Sequence, residues 1–318
     1  MTRKPFFNVL VTDFDGTLST TDTTPALAST LDAIHNSTDK YKHVPSFQHF
    51  SDKYMTDYNA YEAWIERRFA NRVRRGEQCS YGWLVEYLRG TRWMEKRSMD
   101  RMIADGFYRG ATRQQMYDTG AHSPFVQMLP NVPQALASIW SRCPSNINPI
   151  TVLSIGWSAD MILGGINHSV QQFLSSVDNP DSGFDQEKVK SLASQLTVVN
   201  PNMEYNHVTG ISTGRLSNEL YTGIDKINAF NLIIEQYKIE SGRPDLKFAY
   251  TGDSLTDMLC LLKEDVLGIW VGDNSSVKRW IDHLNISLIP LRNASVDDPA
   301  KVLYHIDDWS EVSEFFMP

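Results

Sequence analysis

Val9-Leu10-Val11-Thr12-Asp13-Phe14-Asp15-Gly16-Thr17-Leu18 is an apolar run that ends in two carboxylates on alternate residues, a glycine and a hydroxyl. The largely apolar, β-branched residues from Phe6 to Val11 predict a strand covered on both faces, as in the middle of a parallel sheet. In such sheets ligands collect beyond the carboxyl ends of the strands, where the two aspartates stand. Like charges this close at the end of a buried strand are costly unless a cation lies between them or one holds a proton. A divalent cation meets that need: Asp13 would offer it a carboxylate and attack phosphorus, while Asp15 would be free to shuttle a proton. Gly16 would allow a sharp turn with amides aimed at a phosphate. Asp, Gly and Thr are also ordinary turn residues, so the stretch by itself reads equally as a surface turn.

The same grammar recurs further along the chain. Pro149-Ile150-Thr151-Val152-Leu153-Ser154 is a second apolar strand ending in a small polar residue, followed by Ile155-Gly156-Trp157-Ser158. A helix is predicted from Ser158, with Asp160 in its first turn; a hydroxyl and fresh amides at such a turn make a phosphate cradle, or Ser158 is an N-cap and nothing more. Gly223-Ile224-Asp225-Lys226 opens a helix whose Ile227, Phe230, Ile234 and Tyr237 share one face. Lys226 stands at the positive end of that helix's dipole, an odd place for a cation unless an anion is near. Lys247 to Thr251 is a third strand, ending in Gly252-Asp253-Ser254-Leu255-Thr256-Asp257. Asp253 can reach a metal from the loop, and Asp257, four residues on, can orient a lysine or a metal-bound water. Leu267 to Val271 and Ile286 to Leu291 read as further strands.

Between the first strand and the rest of the sheet the text changes. It is polar and loop-like from Leu18 through Asp39. From Tyr58 to Arg75 the positions Tyr58, Tyr61, Trp64, Ile65, Phe69 and Val73 fall at three- and four-residue spacing, which predicts an amphipathic helix. A second helix is expected over Tyr81 to Leu88, ended by Gly90. Residues 40–118 hold few β-branched residues, much Arg and many aromatics, the text of a compact helical unit. Residues 1–19 and 119–318 are thus read as the core and 20–118 as a helical cap inserted after the first strand. Tyr54, Tyr58, Trp64, Trp83 and Trp93 would form most of the cap's own core, with one or two facing the site. Later, Asn131 is a plausible N-cap for a helix running to about Arg142, Leu196 to Asn200 a short strand, and His207 to Arg215 a hairpin with Gly210 and Gly214 at turns.

Composition narrows the classes. A chain of 318 residues with 42% hydrophobic content has the length and apolar share of a folded globular protein. Three cysteines, Cys79, Cys143 and Cys260, are too few and scattered for a disulfide framework or zinc site. With no apolar run near the ~20 residues of a membrane helix, they point to the cytoplasm. A net charge of −8 argues against nucleic acid. Residues 41–118 carry 14 Lys and Arg against 10 Asp and Glu, a net +4 that leaves −12 for the rest. Such a segment could steer an anionic substrate toward a metal site, or simply be a solvated face.

Taken jointly, strands ending in two carboxylates, a hydroxyl, and two carboxylates, with a lysine before the last, resemble the haloacid dehalogenase (HAD) superfamily of aspartyl-phosphate hydrolases. Asp13-Phe14-Asp15-Gly16-Thr17 corresponds to its first motif, Ser154 to the second, Lys226 to the third, and Gly252-Asp253-Ser254-Leu255-Thr256-Asp257 to the fourth. More narrowly, Ser154 to Asp160, Gly214 to Lys226, Asp253 to Leu262 and Gly272 to Ser276 look like the phosphatase half of plant bifunctional thiamine monophosphate phosphatases and their fungal relatives. The resemblance implies an α/β fold with a Rossmann-like parallel sheet and an inserted helical cap. It also implies a Mg²⁺-dependent phosphatase of a small phosphorylated metabolite, with Asp13 as nucleophile and Asp15 as acid and base. Mg²⁺ would be held by Asp13, Asp253 and the Asp15 carbonyl. Phosphate would lie against Lys226, Ser154 and the loops of Gly16, Thr17, Ile155 and Gly156, with Asp257 and Ser254 in support. Thiamine monophosphate is the first substrate implied, then flavin mononucleotide, pyridoxal phosphate and nucleotides. A halide-displacing dehalogenase would need neither Asp15 nor Asp253; a phosphomutase or an idle binding scaffold would share the same residues.

Overall fold

The computed structural model describes residues 4–143, 148–177, 185–298 and 302–318. Its strands are β1 (Val9–Thr12), β2 (Arg109–Thr112), β3 (Ile150–Leu153), β4 (Thr197–Val199), β5 (Met203–Tyr205), β6 (Ile211–Leu216), β7 (Phe248–Gly252), β8 (Val266–Trp270), β9 (Ser287–Pro290) and β10 (Val302–His305). The helices before β3 are α1 (Thr24–Ser37), α2 (Phe47–Arg74), α3 (Tyr81–Ala104), α4 (Arg113–His122) and α5 (Val132–Arg142). After it come α6 (Ala159–Ser176), α7 (Gln186–Lys190), α8 (Leu192–Gln195), α9 (Gly223–Ser241), α10 (Met258–Leu261), α11 (Ser275–His283) and α12 (Ser310–Glu314).

Seven strands make one parallel sheet in the order β4-β3-β1-β7-β8-β10-β9. The fold is therefore α/β and Rossmann-like, with β1 near the middle. Alternate residues of β1 enter two cores, Leu10 on one face and Val9 and Val11 on the other, as a strand covered on both faces must. Thr12 lies level with Val152 on one side and Thr251 on the other. That register brings the residues following β1, β3 and β7 to the same edge. The chain runs from β1 to β3 on one side and later places β7 on the other, so a crevice opens at the carboxyl end of β1. Two buried hydroxyls in the middle of the sheet satisfy each other: Thr251 Oγ1 donates to Thr12 Oγ1 (2.7 Å), which donates to the Asp13 carbonyl (2.8 Å).

The inserted segment departs from its sequence reading in four places. The stretch read as a loop to Asp39 contains α1, whose Ala26, Leu27, Ala28 and Leu31 are buried behind a Pro25 start. Its polar lead-in, Ser19 to Thr23, is irregular, and that lead-in masked the short apolar stripe. Helix α2 begins at Phe47, eleven residues before the expected Tyr58. Helix α3 runs through Gly90 to Ala104. There Gly90 marks close packing and does not stop the helix: a Cβ at this position would lie 2.3 Å from the Tyr61 hydroxyl. Finally, the segment is not wholly helical, because β2 pairs antiparallel with β6 in a small sheet of order β2-β6-β5. Gly210 is in the turn of that sheet, but Gly214 lies within β6 at φ 92°, where a side chain would strike Arg109. Strand β10, too short to stand out in the sequence, slips between β8 and β9. Asn131 precedes α5 as expected, but with φ 62° and its side chain donating to Asp308 Oδ2 (2.6 Å) in place of a cap bond.

The Gly90 contact yields a test. In an open helix, Gly→Ala gains up to ~1 kcal/mol. Here Gly90→Ala is expected to lower the melting temperature, since the buried Tyr61 ring must move at an overpacking cost of roughly 1–3 kcal/mol. A rise in melting temperature would show that α2 and α3 are not held this closely.

Candidate active site

Four elements converge on the edge of the sheet. The loop after β1 supplies Asp13 and Asp15, the loop after β3 supplies Ser154, the loop after β7 supplies Asp253, and the first turn of α9 supplies Lys226. The helix start is fixed by a capping box, in which Thr222 Oγ1 accepts from the Asp225 amide and Asp225 reaches back to the Thr222 amide. This box sets the direction in which Lys226, one residue later, enters the protein.

Lys226 is fully buried, and its ammonium lies 3.0 Å from Asp13 Oδ1 and 2.7 Å from Asp257 Oδ1. Burial alone would lower its pKa, but the two carboxylates outweigh that and hold the amine well above its ordinary value. Asp257 is also fully buried and completely engaged. Its Oδ1 accepts from Lys226 and from the Tyr250 hydroxyl (2.7 Å), and its Oδ2 accepts from the Ser254 amide (3.1 Å) and hydroxyl (2.8 Å). Of the two partners the sequence offered Asp257, a lysine or a metal-bound water, Lys226 is the one its carboxylate touches.

Asp13 is less well provided for. Its Oδ1 is buried and, although ion-paired with Lys226, makes no hydrogen bond among the described residues. Burial first, then the Asp257 charge, raise its carboxyl well above the usual range, with Lys226 pulling the other way. Asp253 is pushed up to about 7 by burial and then by Asp257. Thr17 Oγ1 donates to its Oδ1 at 3.3 Å. Carboxylate oxygens of Asp13, Asp253 and Asp257 lie within 4.8 Å of one another. Since both oxygens of Asp257 are occupied, the vacant pair is Asp13 and Asp253. A buried carboxylate whose one side-chain partner among the described residues is the Lys226 ammonium, facing a second carboxylate raised by desolvation, is a donor set that fits a hard divalent cation.

Asp15 sits in a different environment. Its Oδ1 accepts from the Thr23 amide (2.9 Å) and hydroxyl (2.5 Å). Burial raises its carboxyl to about 6 and the Asp22 charge adds to that, partly offset by the Thr23 bonds. Ser154 is buried and its Oγ accepts from the Gly156 amide at 3.0 Å, so its own proton is free to be donated into the cavity it lines with Ile155 and Gly156. The Gly16 amide points to Ser19 Oγ at 3.3 Å. At φ 66°, Gly16 has a second reason to lack a side chain: a Cβ would lie 2.4 Å from Asp253 Oδ2. The structure thus gathers Asp13, Asp15, Gly16, Thr17, Ser154, Ile155, Gly156, Lys226, Asp253, Ser254 and Asp257 at one edge.

What the sequence reading missed is the roof. A cavity of about 560 Å³ rises from these carboxylates and is closed by Phe47, Phe50 and Tyr54 of α2 and by Glu95, Met99 and Met102 of α3. Spacings of three and four put each trio on one helix face. Both trios lie outside the ranges expected for the two helices, so placing the helix ends at Tyr58 and Gly90 hid them. Arg92 of α3 fastens the roof beside the lysine, pairing with Asp225 and with Glu219 (3.1 Å). Of the cap aromatics singled out, Tyr54 lines the cavity, Trp83 is buried, and Trp64 and Trp93 are exposed.

No family model matches the chain. It is 24% identical over 258 residues, 76% of its own length, to the bifunctional TH2 protein, mitochondrial, of Arabidopsis thaliana, and spans 37% of that relative. Among solved structures, a substrate-bound phosphoserine phosphatase complex is similar with a TM-score of 0.45 and 12% identity over the whole of both chains. A phospho-aspartyl intermediate analogue of phosphoserine phosphatase gives 0.44 and 12%, again over the whole of both chains. No described helix is long and apolar enough to cross a membrane.

Two measurements probe this geometry. The metal-free protein is expected to gain thermal stability as pH falls from 8 toward 6. Asp15 at about 6 and Asp253 at about 7 bind protons in the folded chain where unfolded carboxyls, near 4, do not, so stability is lost as pH rises through the folded values. Millimolar Mg²⁺ should then raise the melting temperature more at pH 8 than at pH 6, because cation and protons compete for one site. Equal shifts at both would remove the cation from the Asp13 and Asp253 pair. In turn, Gly16→Ala should displace Asp253 and abolish that Mg²⁺ stabilisation; a variant that keeps it would show the close approach to be dispensable.

Proposed function

We propose that the chain is a Mg²⁺-dependent phosphoric monoester hydrolase of the HAD superfamily, which passes the phosphoryl group of a small metabolite to Asp13 and then to water. The observation that carries the reading is the pairing of two differently tuned aspartates at one strand end: Asp13 held against buried Lys226, and Asp15 held by Thr23 with a carboxyl near 6. One is placed as a nucleophile and the other as a proton carrier. Asp13 attacks phosphorus in line and displaces the alcohol. Asp15 donates its proton to the leaving alkoxide and, now ionised, takes one from the water that cleaves the aspartyl-phosphate; a pKa near the working pH suits it to both. Lys226 and the Ser154 hydroxyl, with the loops of Gly16, Thr17, Ile155 and Gly156, hold the phosphoryl oxygens. Asp257 and Ser254 hold Lys226 in place. Bound by the carboxylates of Asp13 and Asp253 and the main-chain carbonyl of Asp15, Mg²⁺ would neutralise charge on the phosphoryl group.

Residues 20–118 serve in this proposal as the cap that selects the alcohol, with α2 and α3 as its roof. Thiamine monophosphate is the proposed substrate on the strength of the narrower motif resemblance, and a cytoplasmic site of action rests on the scarcity of cysteine. Screening phosphorylated metabolites for Mg²⁺-dependent release of phosphate tests the class directly. Asp13→Asn is expected to abolish release while leaving the melting profile cooperative; near-normal turnover in that variant would refute the nucleophile. Asp15→Asn should cost roughly 10²–10⁴-fold on an alkyl phosphate, and less in the first step on p-nitrophenyl phosphate, whose phenolate needs little protonation. Equal losses of the first step on both esters would make Asp15 structural.

A further inference from the structure

The cavity has a charge pattern that the phosphatase chemistry does not require. Five carboxylates line it, those of Asp13, Asp15, Asp22, Asp253 and Glu95, and among the described residues no Lys, Arg or His does, Lys226 being fully buried against Asp13. Three of the five belong to the reacting end, and Asp22 is exposed and caps the Thr24 amide at 2.8 Å. Glu95 is left without a task. It stands in the roof among Phe50, Tyr54, Met99 and Met102. Its Oε1 accepts from the Tyr54 hydroxyl at 2.8 Å; it has no ion pair, and Oε2 has no hydrogen bond among the described residues. Burial pushes its carboxyl up to about 7 against the pull of that hydrogen bond. A half-buried carboxylate set in an aromatic and thioether wall, with no cation paired to it among the described residues, offers its second oxygen to a positively charged ligand entering the cavity.

We propose that Glu95 is the specificity residue for the alcohol half of the substrate, and that this alcohol bears a cationic planar ring and no carboxylate. The proposal rests on the hydrolase reading above and narrows it. With the phosphoryl group at Asp13, the alcohol extends under the roof, where a flat cation meets aromatic faces as well as the free Glu95 oxygen. An alcohol carrying its own carboxylate or further phosphates would face this acidic wall with no cation to receive it. Phosphorylated amino acids and nucleoside polyphosphates are therefore excluded from the substrate class, while thiamine monophosphate satisfies it.

The test compares an N-methylpyridinium ethyl phosphate with its neutral p-tolyl isostere. The wild-type protein should favour the cationic ester in kcat/KM by roughly tenfold or more, the scale of one charge pair in a partly desolvated pocket. Glu95→Gln, which keeps an oxygen for the Tyr54 hydroxyl, should erase the preference through KM. A preference that survives in Glu95→Gln, or one absent from the wild type, overturns the proposal. Binding of the two free alcohols, followed by calorimetry, gives the same comparison without turnover. If no ester is hydrolysed yet the cationic alcohol binds more tightly to the wild type than to Glu95→Gln, the hydrolase reading fails and the Glu95 site stands. Equal binding by both proteins sinks the Glu95 site whatever the catalysis.

Discussion

The interaction on which the site depends is the buried ammonium of Lys226 set between Asp13 and Asp257. Removing three charges from water is worthwhile only if each has fixed partners, and the surroundings provide them unequally. Asp257 receives four hydrogen bonds and becomes a permanent counter-ion. Asp13 receives the ion pair alone and keeps a buried oxygen unsatisfied. That inequality leaves one of two chemically identical side chains fully engaged and the other open to a ligand. The residues that enforce it come from two parts of the chain: Tyr250 on β7 with Ser254 in the loop after it, and the capping box that starts α9.

Charge and shape are divided between the two halves of the cavity. The sheet edge holds the carboxylates and the lysine, so that end of the cavity is polar. The roof is built from two long helices that present aromatic rings, methionines and one acid. Rings of Phe47 and Trp157 meet at 6.3 Å, joining roof to sheet edge. In the proposed hydrolase, the sheet edge would carry the chemistry and the roof would select the alcohol.

Much of the sheet edge was legible because each catalytic candidate ends an apolar strand or opens a helix, and both signals are local. Strand β1, strand β3 with Ser154, strand β7 with Asp253, and the helix bearing Lys226 all lie where composition and spacing put them. The roof was not legible for a physical reason. Gly90 in a sequence looks like a helix stop, yet here it permits contact with Tyr61, which belongs to tertiary packing. Likewise Phe47 and Phe50 lie ahead of the polar triplet Ser51-Asp52-Lys53, which weakens the apolar stripe, and only the folded structure shows them facing the carboxylates. Strands β2 and β10 are four residues each and are defined by their partners, which periodicity cannot see.

The central claim is that Asp13 carries the phosphoryl group between alcohol and water. Asp15→Asn protein, mixed with p-nitrophenyl phosphate and Mg²⁺ and quenched in acid within the first turnover, should be digested and its peptides weighed. The account predicts a mass gain of one phosphoryl group on the peptide containing Asp13, lost on treatment with hydroxylamine, which cleaves acyl phosphates. Release of nitrophenol with no such gain, or a phosphoryl group found on another residue, would contradict it.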